Sequence, residues 1–433
     1  MTDTLTPPPE QRETRPPSQG RALARLALIV VAGLVAAYIT GVTSTVLVVG
    51  AIIAMIMLHE LGHFMTAKWA DMKVTEYFLG FGPRLWSIRK GETEYGVKAI
   101  PAGGYVKIIG MSSMDKVDPA DEPRTYRQKS YGRRMSVAVA GSTVHFMIAF
   151  VLLLVLYGVV GVPNYSKPFS VGTISRLESG PSPAAEAGFK LGDTVLAVDG
   201  KKVTWEDVPP YIRTRPGKPV VFDVLRDGKR LQLTATPVDL SKVVVEGDHA
   251  PVSTTPRGFV GIGDPKFPTH RLGPVGTVTH SVTGLGRATV ETLKALGTIF
   301  SPSGATSYSK QLLNRPQPTN GDDNGGNNRF LSPVGFVRVA SQAADTGWRE
   351  VLTLLLSINI FVGIFNMIPL LPLDGGHVAI ATYERLRSRR GQRYYVDIAK
   401  VMPLTYMVVL LLAFIAISSL YLDIVHPIAN PFQ

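Results

Sequence analysis

Two histidines and a glutamate fall within five residues, His59-Glu60-Leu61-Gly62-His63. On a helix, residues four apart share a face, so both imidazoles can reach one metal ion. Glu60 sits about 100° round the helix from His59, too far to be an easy third ligand but able to touch a water on that ion. The chemistry this pattern suits is hydrolysis: a metal-activated water, with a carboxylate to move its proton. A catalytic zinc site usually has three protein ligands and one open position. Candidates for the third ligand beside later apolar runs are His145, Asp374 and His377. Asp374 follows Asn366-Met-Ile-Pro369-Leu-Leu-Pro372-Leu and precedes Gly375-Gly376. Two prolines and two glycines break a helix there, and broken backbone at membrane depth survives only in a cavity or buried in protein. An acid in such a place is a functional candidate. Two neutral imidazoles and the Asp374 carboxylate on Zn²⁺ would leave a site of about +1, which lowers the pKa of bound water toward about 7. Asn366 could hydrogen-bond a substrate backbone or an oxyanion near the break.

The elements that must carry these residues are membrane spans. Of 433 residues 45% are hydrophobic and only 18% charged, against about 25% in ordinary soluble proteins. That composition excludes a disordered or collagen-like chain. The absence of cysteine excludes a disulfide scaffold, Cys-ligated zinc and a Cys nucleophile. The net charge of +12 is concentrated in loops between apolar runs, which favours a membrane over nucleic acid. No Asp, Glu, Lys or Arg lies between Arg25 and Glu60. That stretch exceeds the roughly 20 residues of one span and breaks at Thr40-Gly41-Val42-Thr43-Ser44, giving spans near 22–40 and 43–66. Further charge-free runs are 135–162, 351–373 and 401–422. Basic residues mark the cytoplasmic side. Arg12, Arg15, Arg21 and Arg25, the Lys/Arg-rich stretch 68–134, and Arg385, Arg387, Arg389, Arg390 and Arg393 share one side with five spans, but not with four.

Residues 1–21 read as a Pro-rich cytoplasmic tail, 22–66 as the first two spans, 67–134 as a cytoplasmic-side region and 135–162 as the third span. Residues 165–240 read as an extracytoplasmic β-rich module with hairpin turns at Asp199-Gly200 and Asp227-Gly228. Residues 241–350 hold two amphipathic helices, near 271–300 and 331–349, and a Gly/Asn/Asp-rich loop over Pro316–Arg329. Residues 351–422 hold the last two spans.

HELGH in one span and Asn-x-x-Pro-x-x-x-x-Asp-Gly in a late one resemble the site-2 protease family of intramembrane zinc metalloproteases. Tyr77–Pro83, Gly91–Met111 and Ser332-Pro-Val-Gly335 add to the likeness. Ser182–Gly200 resembles a PDZ domain of the kind attached to bacterial proteases, which points to the branch that cleaves membrane-anchored anti-sigma factors. The resemblance implies an α-helical multi-pass protein of the cytoplasmic membrane with an inserted PDZ-like domain and a membrane-associated β-hairpin (94–100 and 103–108). It implies Zn²⁺ held by His59, His63 and Asp374, and Glu60 as catalytic acid/base. It implies a substrate-binding role for Asn366 and Pro369 and for the hairpin with Gly103 and Gly104. Expected partners are single-pass membrane proteins and the bilayer, with no nucleic acid. The chain departs from the pattern in Gly141-Ser-Thr-Val-His145, where His145 stands in place of the usual Asn and is expected near substrate, and in the extra span near 22–40.

Overall fold

A computed structural model describes residues 19–111, 117–246, 253, 255–313, 330–388, 392 and 394–425. The first 18 residues, the Gly/Asn/Asp-rich loop from 316 to 329, and Arg389, Arg390 and Arg393 lie outside them. Five helices among the described residues are long and apolar enough to cross a membrane: 20–39, 43–69, 140–160, 348–365 and 400–425. The chain divides into two compact units, residues 1–141 and 142–433.

In the first unit, α1 (Gln19–Ile39) and α2 (Thr43–Trp69) are separated at Gly41, whose φ of +74° ends the first helix cheaply. Both helices are apolar around their circumference, as spans are. After α2 come β1 (Val74–Lys90) and β2 (Thr93–Ile108). Each strand bends back on itself. Residues 76–79 face Lys107–Gly104 on one side and Glu94–Val97 on the other, while 84–90 pair with 98–93. Four short segments therefore lie side by side where two long strands would be drawn. Gly96 permits this packing, since a Cβ there would lie 2.4 Å from the Trp86 carbonyl oxygen. Ala67, Met72, Val74, Ile108, Tyr126 and Val137 form a buried core that joins α2, the strands and α3 (Tyr131–Ala138).

The expected span 135–162 begins later than its charge-free run suggests. Helix α3 stops at Ala138, a turn at Val139 intervenes, and α4 starts at Ala140. The end of a helix leaves its last carbonyls without helical partners.

In the second unit, β3 (Phe169–Ser170), β4 (Thr194–Val198), β5 (Lys201–Lys202), β6 (Val220–Arg226) and β7 (Lys229–Ala235) form one sheet, in the order β7-β6-β4-β3 with β5 also on β4. Val220, Phe222 and Val224 alternate into its core with Phe169 and Val195. The turns Asp199-Gly200 and Asp227-Gly228 both have positive φ at each residue, the conformation that two-residue hairpins require. Helices α5 (Pro274–Ile299), α6 (Pro302–Leu312) and α7 (Pro333–Thr346) follow. Leu285 and Ala288 of α5 pack on Leu356 and Ile360 of α8 (Trp348–Phe365). The charge-free run to 373 does not stay helical. It stops at Asn366, where Pro369 and Pro372 cannot continue the backbone hydrogen bonding. Helix α9 (Asp374–Arg387) restarts the chain, and α10 (Ile398–Val425) is the last span.

Candidate metal centre

His59 and His63 are both buried in the second half of α2. Their rings meet edge to face, and the two Nε2 atoms are 3.2 Å apart. Two nitrogens bound to one tetrahedral zinc at 2.0–2.1 Å would be about 3.3 Å apart. His63 Nδ1 lies 2.8 Å from the carbonyl oxygen of Val137. A carbonyl only accepts, so Nδ1 carries the hydrogen and Nε2 keeps its lone pair for a metal. The break after α3 supplies this carbonyl. The ring of His59 lies over Gly141, where a Cβ would come within 2.2 Å of His59 Cε1. Glycine at 141 is a requirement of that ring position.

Glu60 leaves the same helix turn beside β2. A Cβ on Gly104 would lie 3.2 Å from Glu60 Cγ and 2.9 Å from Met57 Sδ, so glycine lets the strand run close to the carboxylate. Gly104 pairs with Leu79, and Gly103 has φ +155°, with Phe81 against its α-carbon. The Tyr77 hydroxyl donates to the Met57 carbonyl oxygen at 2.8 Å, which ties β1 to α2. Burial, with the nearby Glu60 charge adding to it, pushes that hydroxyl up to about 12.

Asp374 is the first residue of α9. The loop before it is held by Gly375 N–H donating to the Asn366 carbonyl oxygen at 2.7 Å. Cβ atoms on Gly375 and Gly376 would meet the backbone of Met367, Ile368 and Leu371 at 2.3–2.6 Å. Pro369 lies within this loop, and His377 is one turn into α9. His59, His63 and Asp374 offer one ligand atom each, a group that could hold a metal ion. Two imidazole nitrogens and one carboxylate oxygen are a donor set that fits zinc and leaves a coordination position open.

His145 is buried, and its Nδ1 lies 2.9 Å from Oδ1 of Asn359. Asn359 Nδ2 donates to the Leu355 carbonyl oxygen at 2.7 Å, so its oxygen faces the imidazole and His145 Nδ1 carries the hydrogen. Asn359 is absent from the sequence-based reading. The available signal was an amide within an apolar run, which needs a partner; the structure buries it fully. Val137 could not have been found from sequence, because it acts through its backbone.

The sequence profile described as Peptidase family M50 matches residues 46–412. The chain belongs to Peptidase family M50, the site-2 proteases. It is similar to zinc metalloprotease Rip1 of Mycobacterium tuberculosis, 32% identical over 409 residues that cover 89% of this chain and 98% of that protein. It is likewise similar to zinc metalloprotease Rip1 of Mycolicibacterium smegmatis, 33% identical over 88% of this chain and 96% of that protein. As a member of this peptidase family, the chain is a zinc metallopeptidase with several membrane-spanning helices.

Proposed function

We propose that this protein is an intramembrane endopeptidase that cuts single-pass membrane proteins in or near their transmembrane segment. Pre-trimmed anti-sigma factors are the expected substrates, and regulated intramembrane proteolysis the process. The observation that carries the reading is the grouping of His59, His63 and Asp374 on apolar helices and beside a helix break. In this reading these three hold the metal, and Glu60 is the catalytic acid/base. Zinc, when bound there, would make a water acidic enough to ionise near neutral pH and would polarise the scissile carbonyl. Glu60 takes the proton of the attacking water and delivers it to the leaving nitrogen.

A transmembrane helix hides its peptide bonds in internal hydrogen bonds, so substrate must unwind before cleavage. The hairpin with Gly103 and Gly104 captures the extended form by strand addition. Close approach of β2 to Glu60 at Gly104 supports that role. Asn366 and Pro369 shape the loop that handles substrate, and His145 is read as a hydrogen-bonding partner for substrate. The sheet of residues 165–240 is read as a PDZ-like domain that docks or filters trimmed substrates. Its strand order, paired turns and Ser182–Gly200 sequence support the assignment. The basic loops favour a metal centre in the cytoplasmic membrane, with this domain on the extracytoplasmic side.

The test uses purified wild type, Glu60→Gln and Asp374→Ala in detergent with a single-span substrate. Glu60→Gln is expected to keep its zinc and lose cleavage, and Asp374→Ala to bind zinc more weakly. Cleavage retained by Glu60→Gln would remove Glu60 from the acid/base role.

A further inference from the structure

Glu92 stands in the two-residue turn between β1 and β2, after Gly91 with φ +63°. Three pieces of the first unit meet on its carboxylate. Lys68, at the end of α2, donates to Oε1. Arg124 grips it as a fork, Nη1 to Oε2 at 2.6 Å and Nη2 to Oε1 at 3.0 Å. The turn itself is fastened by Thr93 Oγ1 donating to the Val74 carbonyl oxygen at 2.7 Å. Lys68 follows His63 by five residues, about 7.5 Å along the helix. On the other side, Arg124 leads into Tyr126, which is buried against Val137. The Tyr126 hydroxyl lies 3.3 Å from the Arg134 carbonyl oxygen, and the Arg134 guanidinium lies over its ring. Contacts thus run from Glu92 through Arg124 and Tyr126 to α3, and so to the carbonyl that orients His63.

We infer that Glu92 is a positioning residue of the metal centre, clamping the foot of the histidine-bearing helix to the segment that presents the Val137 carbonyl to His63. The inference rests on the reading that His63 is a metal ligand. It concerns geometry more than global stability, because Glu92 and its partners are partly exposed and such pairs contribute little to folding. The second contact of a metal-binding imidazole nonetheless governs how tightly the metal is held. Without the carboxylate, Lys68 and Arg124 face each other as like charges, offset only in part by the Asp71 carboxylate 3.5 Å from Arg124 Nε, and push the two segments apart. Salt then acts with opposite signs in the two proteins: it weakens the clamp in wild type and relieves the repulsion in the variant.

The experiment follows zinc transfer from the full-length, zinc-loaded protein in detergent to a fluorescent chelator, at low and high salt. Wild type, Glu92→Gln, Arg124→Lys and His63→Ala are compared, with the thermal midpoint of each metal-free protein. Glu92→Gln is expected to release zinc about tenfold faster at low salt with little change in midpoint. Salt is expected to slow its release and to speed that of wild type. Arg124→Lys, which keeps the charge and loses the fork, is expected to fall between. Unchanged release by Glu92→Gln, or faster release that merely follows a lower midpoint, overturns the positioning role. Zinc uptake by His63→Ala equal to wild type overturns the metal-centre reading itself.

Discussion

The sheet of residues 169–235 and the two helix interruptions at 139 and 366–373 obey the same chemistry to opposite ends. In the sheet, every local preference agrees with the outcome. Apolar residues alternate along β6, and Asp-Gly pairs sit where positive φ is needed. The buried Asp193 carboxylate is met by Arg226 at 2.6 and 2.7 Å. In the spans, the helix stops where hydropathy says it should continue, and polar groups collect at the interruptions. Val137 gives its carbonyl to His63, and the later interruption ends in Asp374. Locally consistent sequence builds scaffold, and conflict between local and global preference marks chemistry.

The comparison can be broken most severely at its two kinds of glycine. Gly141→Leu puts a side chain where His59 must lie, and it is expected to abolish zinc binding and cleavage together, as measured by metal content and substrate turnover. Gly200→Ala, in a hairpin turn with open space around it, meets only the left-handed backbone penalty. It should lower stability by about 1 kcal/mol in denaturant titration, with cleavage chemistry intact. Between these extremes, Asp193→Ala removes the carboxylate that pairs with Arg226 and leaves the guanidinium only the Gly188 carbonyl oxygen. It is expected to lower the stability of the sheet domain in denaturant titration while the zinc content of folded protein stays that of wild type. Zinc loss in Asp193→Ala at temperatures where the domain is folded would erase the distinction.

The smallest effect is one of pH. The Arg124 and Lys68 hydrogen bonds hold the Glu92 carboxyl down at about 2, against an ordinary 4.5. A depressed carboxyl contributes stability that is present above its ordinary value and lost as pH falls through the folded one. The difference in thermal midpoint between wild type and Glu92→Gln, small because the pair is partly exposed, should therefore be flat above about pH 5. It should close as the pH falls from 4.5 toward 2. A difference that grows on acidification would contradict the pairing.

The five spans were legible because the charge-free runs are long and the break at Thr40–Ser44 carries a glycine. The spacing of His59 and His63 was equally plain, since two imidazoles four residues apart share a helix face. The choice of Asp374 as third ligand needed the family resemblance, because His145 and His377 were rival candidates from sequence alone. Other features depend on tertiary contacts that no local pattern carries. Helix α3 ends at Ala138 inside a charge-free run, and Val137 there turns its carbonyl to a histidine 74 residues away in sequence. The folding back of β1 and β2 into four segments is written only in close approaches such as that at Gly96. Asn359 and its imidazole partner come from different helices, 214 residues apart.

The central claim is that His59, His63 and Asp374 hold one zinc ion. The most direct measurement is zinc X-ray absorption spectroscopy on wild type, His63→Ala and Asp374→Ala. Wild type should show one zinc per chain with two imidazoles and oxygen donors at about 2.0–2.1 Å. One imidazole should vanish in His63→Ala, and an oxygen donor should be lost or replaced in Asp374→Ala. A wild-type spectrum with fewer than two imidazoles, or one that neither substitution alters, would contradict the account.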